Sequence, residues 1–129
     1  MLVVTRYRVP EPGAAEFGEL AAAALAALTA RPGCLDARIG RALDDPELWT
    51  LTTTWTSVGD YRRALSGYDV KVHAVPLMYR AIDEPTAYED LCTWSPADGV
   101  RRHEPTLAAD AGSVNLGEAG TDRAPRSSW

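Results

Sequence analysis

Lysine is nearly missing from this sequence: Lys71 stands alone beside twelve arginines. With 18 acidic against 13 basic side chains the net charge is −5, so the chain lacks the basic face that broad nucleic-acid binding requires. Arg62-Arg63 and Arg101-Arg102 are isolated pairs. Arginine in place of lysine, with abundant alanine, fits a GC-rich bacterial genome and carries no chemistry. Cysteine is scarce too. Cys34 and Cys92 lie far apart, in no CxxC and at no Cys/His spacing that suggests zinc, and they read as small buried hydrophobes. His103-Glu104 has no further ligand near it, and Asp44-Asp45-Glu47 reads as a turn, so no metal is expected. A Gly-rich phosphate loop, a nucleophile elbow and a dinucleotide fingerprint are all absent, which argues against bound flavin or nicotinamide. No apolar run is long enough to span a membrane. The opening residues, Met1 to Arg8, lack the basic region, apolar stretch and cleavage site of a signal peptide, so a cytoplasmic protein is expected.

What is present organises into one domain. A length of 129 residues suits one domain and is short for two. Residues 1–94 carry the regular patterns. From 95 to 129 Pro, Gly, Ser and mixed charge dominate, and Val100, Leu107, Val114, Leu116 and Trp129 are scattered, so this part reads as a polar, irregular tail with no core of its own.

Residues 2–9, rich in Val, Thr and Tyr, predict a strand. A helix follows over about 14–30, with Phe17, Leu20, Ala24, Leu25 and Leu28 on one face. Arg31-Pro32-Gly33 stops it. A second strand starts at Cys34, where Leu35, Ala37 and Ile39 alternate with Asp36 and Arg38. The turn at 43–47 leads into a third strand over 48–55. There Trp49, Leu51, Thr53 and Trp55 share one face, and the threonines favour strand over helix. Ser57 with Asp60 forms a capping box for a short helix ending at Leu65. Ser66-Gly67 interrupts it, helical pattern returns near Asp69, and Pro76 forces a restart. A fourth strand is predicted over 86–94. The order β-α-β-β-α-β is that of the ferredoxin-like α+β fold, with one four-stranded antiparallel sheet and both helical regions on one face. The other face keeps apolar side chains and needs a cover. A second copy of the sheet is the simplest one, giving a homodimer.

Pro32-Gly33-Cys34-Leu35 after an amphipathic helix, the turn at Asp44-Asp45-Pro46, and Trp55-Thr56-Ser57 followed by Tyr61 together resemble the antibiotic biosynthesis monooxygenase domain, over about residues 1–92. The resemblance implies a dimeric α+β barrel, with a pocket between sheet and helices in each subunit. It further implies oxidation of an aromatic small molecule, anthrone-, phenol- or quinol-like, by O₂ without a cofactor. In the anthrone-oxidising members a Trp at the end of strand three and a Tyr six residues later line the cavity, and Trp55 and Tyr61 match both. The Asn that those members carry four residues before the Trp is Leu51 here. Haem-degrading members need a second-helix His, a strand-one Asn and a helix-two Trp. His73 lies about one residue from the ligand position, but Arg6 and Ala64 or Leu65 stand at the other two.

The expected site follows. Trp55 is an aromatic wall or a core filler. Tyr61 hydrogen-bonds a substrate oxygen or donates a proton, or simply packs. His73 carries an imidazole, a side chain suited to proton abstraction, or sits on the surface. Arg6 stabilises an enolate if Leu2, Val4 and Arg6 face the helices, and is a solvated charge if they face outward. Leu51, Trp49 and Tyr79 complete the lining. A pocket filled by Trp49, Leu51 and Trp55 would instead favour a non-catalytic binding module. An isomerase or cyclase using the same groups without O₂ is a third possibility.

Overall fold

The computed structural model describes residues 1–104. The apolar positions Leu107, Val114, Leu116 and Trp129, and most of the expected tail, lie outside the described residues. The first strand, β1, spans Leu2–Arg8. After a single 3-10 turn at Glu11–Gly13, helix α1 spans Ala14–Thr29. The hairpin strands are β2, Cys34–Arg41, and β3, Leu48–Trp55. Three short helices follow: α2 at Val58–Leu65, α3 at Tyr68–His73 and α4 at Val75–Met78. Strand β4 is only Ala87–Tyr88. One antiparallel sheet has the order β2-β3-β1-β4, which is the ferredoxin-like arrangement.

Strand alternation decides which side chains meet the helices. On β1 the odd positions Val3, Thr5 and Tyr7 are buried. Register pairs Thr5 with Leu51 and Tyr7 with Trp49, so Leu51, Thr53 and Trp55 fall on the same inner face and are buried as well. Helix α1 covers this face with Phe17, Ala21, Ala24, Ala27 and Leu28. Alanine at three of these positions lets the helix approach the sheet closely. Leu20, expected on that stripe, is turned toward solvent. On β2 the pairing shifts between Cys34 and Asp36. This bulge sends Leu35 outward, 66% exposed, while Ala37 and Ile39 stay opposite Thr53 and Leu51.

Arg6 belongs to the other set. It lies on the sheet face away from the helices and binds Glu84 through two hydrogen bonds, Nε to Oε2 and Nη2 to Oε1, both 2.7 Å. The Ile82 N–H donates to the Arg6 carbonyl and the Val4 N–H to the Thr86 carbonyl, so residues 82–88 run along the edge of β1. Pro85 has no N–H to give this edge, and regular pairing is confined to Ala87 and Tyr88. The expected strand over 86–94 is therefore two pieces. Its second half becomes β5, Cys92–Ser95, which leaves the sheet and pairs with β6, Gly99–Arg102, in a separate hairpin. The turn there uses Gly99 at φ 67°, and the regular backbone thus runs past residue 94.

Gly33 joins the two halves of the domain. Its φ is 90°, in the left-handed region that side chains avoid. A Cβ there would lie 2.6 Å from the Asp60 side chain. Asp60 is itself at the start of α2, where the Ser57 hydroxyl caps its N–H at 3.1 Å. Its carboxylate accepts from the Thr56 hydroxyl and from Arg63.

Two outcomes follow from these contacts. Gly33→Ala combines strained backbone with a clash and is expected to cost at least about 1 kcal/mol in urea unfolding; an unchanged midpoint would refute the tight junction. Arg6 holds the Glu84 carboxyl below its ordinary range, chiefly through their hydrogen bond. That contribution is complete above the unfolded Glu pKa of about 4.3 and is lost as pH falls through the lower folded value. Both side chains are partly exposed, so the effect is small. Unfolding midpoints measured from pH 7 down to 3 should fall less steeply in Glu84→Gln than in the wild type.

Candidate functional site

Between sheet and helices the interior is aromatic with a band of hydroxyls through it. Trp55 closes β3 at 1% exposure, and Tyr61, one turn into α2, is at 0%. Their rings meet at 5.4 Å and 52°. The spacing follows from the local fold: β3 ends at Trp55, Ser57 caps α2, and the first turn of that helix carries Tyr61 back over the indole. The Trp55 Nε1 donates to the Thr53 hydroxyl at 2.8 Å, so the indole leans back along its own strand.

At the other end of the same face, Tyr7 packs against Phe17 at 5.1 Å, and Phe17 meets Trp49 edge-on at 5.3 Å. The guanidinium of Arg41 lies 5.7 Å from the Trp49 ring centroid, and that of Arg80 lies 5.6 Å from the Phe17 ring. The Tyr7 hydroxyl reaches back to Thr5 Oγ1 at 2.8 Å, and Thr5 Oγ1 also donates to the Leu51 carbonyl at 3.2 Å. Tyr7 and Trp55 thus lean from opposite ends toward the middle of the inner face, where Thr5 and Thr53 supply hydroxyls.

The Tyr61 hydroxyl differs from these. It is buried and has no hydrogen-bond partner among the described residues; Trp49 Nε1 and Thr86 Oγ1 share that condition elsewhere. Leaving such a group unpaired is costly, and an instance in a folded protein calls for a reason. Burial, with a smaller contribution from Tyr7, pushes the Tyr61 phenol well above its ordinary pKa. Burial likewise pushes Tyr7 up to about 12, against smaller opposing effects of the Thr5 hydrogen bond and Arg80. Both phenols are therefore neutral at physiological pH. Tyr61 can donate to an oxygen, and at neutral pH it is no base.

The structure brings Trp55 and Tyr61 together, with Leu51 buried on the same face, and places Trp49 half-buried in the Tyr7–Phe17 cluster. It does not bring in the others. His73 is exposed at the end of α3 and Tyr79 is 56% exposed after α4. Arg6 is on the opposite face of the sheet, paired with Glu84, because the even positions of β1 point away from the helices. Sequence reasoning missed Tyr7, Thr5 and Thr53. The signal available for them was the alternation in β1, once Val3 rather than Leu2 is taken as inward-facing. Among the described residues no three His, Cys, Asp or Glu side chains are grouped as a metal ion would need, and no helix is long and apolar enough to cross a membrane.

Comparison with known proteins places this geometry. The family model described as antibiotic biosynthesis monooxygenase matches residues 1–74. Among solved structures, a mutant of SnoaB, a cofactor-independent oxygenase from Streptomyces nogalater, is 26% identical with a TM-score of 0.55, covering 63% of this chain and 82% of that one. A conserved protein from Methanosarcina mazei Go1 is 23% identical with a TM-score of 0.56, over 67% of this chain and 84% of that one. A proposed antibiotic biosynthesis monooxygenase from Deinococcus radiodurans is 20% identical with a TM-score of 0.58, over 70% and 92%; these last two likenesses concern the fold alone. No curated protein matches the sequence significantly. The family match takes in β1 through α3, and so both Trp55 and Tyr61: the chain belongs to the antibiotic biosynthesis monooxygenase family.

Proposed function

We propose that this protein is a cofactor-independent oxygenase of an aromatic small molecule of the anthrone, phenol or quinol type. The observation that carries the reading is the Tyr61 hydroxyl, fully buried against the Trp55 indole with no hydrogen-bond partner among the described residues. A substrate oxygen seated beside that ring pair would satisfy it. Family membership supports oxygen chemistry, and the description of SnoaB as a cofactor-independent oxygenase supports a reaction without a bound cofactor.

The substrate does much of the chemistry. Loss of a proton makes it an electron-rich enolate or phenolate, which passes one electron to O₂. The radical pair then combines to a peroxide anion, which takes up the proton released to solvent in the first step to give a hydroperoxide, and loss of water leaves the carbonyl product. Each turnover consumes one O₂ and releases one water. Tyr61, held neutral by burial, donates to the developing oxyanion, which a preorganised donor in a dry interior stabilises more than water does. Trp55 orients the ring. In this scheme the rate rises with pH through the substrate's own ionisation, because Tyr61 is no base and His73 lies outside.

A specific observation favours a second reading, a binding or accessory module of the same fold. Trp55 has already given its N–H to Thr53, and Leu51 presents an apolar side chain in the same interior. An isomerase or cyclase would use the same donor and consume no oxygen. The open face of the sheet carries Leu2, Val4, Thr50, Thr52 and Thr54, all partly buried within the single chain, which supports a second copy as its cover.

Two measurements test this. Oxygen-electrode assays with anthrones, naphthols and quinols, with and without chelator, should show uptake that Tyr61→Phe lowers roughly 10²–10³-fold and His73→Ala leaves within about two-fold; no uptake across the panel would leave the module or the isomerase. Sedimentation velocity at micromolar concentration should give a dimer, and a clean monomer would remove the face-to-face assembly.

A further inference from the structure

The hairpin β5–β6 stands apart from the core. Among the described residues its strands pack chiefly on each other, and a lone two-stranded hairpin is barely stable in water. Its base is closed by the His103 N–H, which donates to the Leu91 carbonyl, and by the 2.7 Å contact of Thr93 Oγ1 with His103 Nε2. Trp94 and Val100 face each other across it and are 67% and 69% exposed. Tyr88, opposite Leu2 in the register of β4 with β1, shares the open face of the sheet. Of the ten large apolar side chains exposed among the described residues, Tyr88, Leu91, Trp94 and Val100 make four. Apolar exposure is thus concentrated where the chain passes from the open face onto the hairpin. That face is small. Strands of seven and eight residues beside a two-residue β4 project roughly 400 Å² at ordinary strand rise and spacing, whereas a stable interface draws about 800 Å² from each partner. Two sheets laid face to face fall short of that, and the uncovered hairpin beside the face is the surface that makes up the difference.

We propose that β5–β6 is an arm exchanged between two copies of this chain: the hairpin of each subunit lies on the other, with Trp94 and Val100 as its anchors. This rests on the second copy inferred above as the cover of the sheet. Strands of four residues reach about 13 Å, close to the ~14 Å across a four-stranded sheet, so the arm is long enough to cross its partner. A two-fold contact is self-complementary. One operation covers both open faces and both arms, while a foreign protein on the hairpin would leave the open face bare. A tryptophan that becomes buried is among the strongest anchors an interface can have. The family match ends at residue 74, so the arm lies beyond the matched region.

The test is sedimentation of the full-length protein over a dilution series. Trp94→Ser combined with Val100→Ser should weaken the dimer by roughly thirty-fold or more, the worth of one interface anchor. Tyr79→Ser, which removes an exposed aromatic elsewhere, should stay within about two-fold. A second readout leaves the hairpin intact. In Trp129→Phe, Trp94 is the exposed indole beside half-buried Trp49 and buried Trp55, and its quenching by acrylamide should be strong in dilute monomer and lost as the chain associates. A wild-type dimer that the hairpin substitutions leave intact, or whose Trp94 stays quenchable, would overturn the arm while the sheet-to-sheet assembly stands. Dissociation by the hairpin substitutions with indifference to Thr52→Glu, on the open face opposite Val4, would keep the arm and remove the sheet-to-sheet packing. A monomeric wild type would overturn both. Trp94 shielded from acrylamide in that monomer would place its cover within the same chain.

Discussion

The pairing of β1 with β3 is the constraint from which the rest of this molecule follows. Each strand alternates two sets of side chains, and the register that sets Thr5 opposite Leu51 and Tyr7 opposite Trp49 selects one set from each strand for the interior. A slip of one residue would carry Tyr7 and Thr5 to the open face and bring Arg6 and Val4 under the helices. The aromatic cluster, the hydroxyl band and the placement of Trp55 under α2 all depend on that one choice. Apolar burial holds it in place. Val3, Phe17, Leu28, Leu51 and Trp55 lose nearly all contact with water, and exchanging them for Arg6 would bury a charge without its partner Glu84.

Much of this was legible in the sequence. The threonine-rich run and its flanking turns mark β3 at Leu48–Trp55, and Ser57 marks the start of α2 through a capping bond that is present. The strand period predicts two faces but not which of them meets the helices, and it is the pairing with Glu84 that shows Arg6 on the open face. Leu35 was misplaced because a bulge shifts the alternation by one residue, and single-residue insertions leave little trace in a hydrophobic pattern. The hairpin β5–β6 was hidden by composition. Pro96-Ala97-Asp98-Gly99 looks like the start of an irregular stretch, although Asp-Gly between Trp94 and Val100 is also a turn signal. Trp94 and Val100 pair across that hairpin while remaining exposed.

The candidate site was half legible. Trp55 and Tyr61 follow from their spacing around a capped helix start. Tyr7 and Thr5 do not, because a hydrogen bond between positions two apart on one strand arises from how a particular tyrosine bends over its neighbour. What the assembled interior supplies is polarity held in fixed directions. Its phenols stay neutral because burial disfavours the phenolate, Thr5 sends its proton to the Leu51 carbonyl, and Thr53 accepts from the Trp55 indole. An interior of this kind would stabilise charge on the proposed substrate by orientation rather than by ions of its own.

The covering helices α2, α3 and α4 are eight, six and four residues long, divided at Ser66-Gly67 and ahead of Pro76. Helices so short owe their stability to packing rather than to their own backbone bonds, and segments of this kind are the ones that open at least expense. The roof of this interior is thus jointed where its floor is a continuous sheet. Tyr61 hangs from the jointed side, and Tyr7 and Thr5 stand on the sheet.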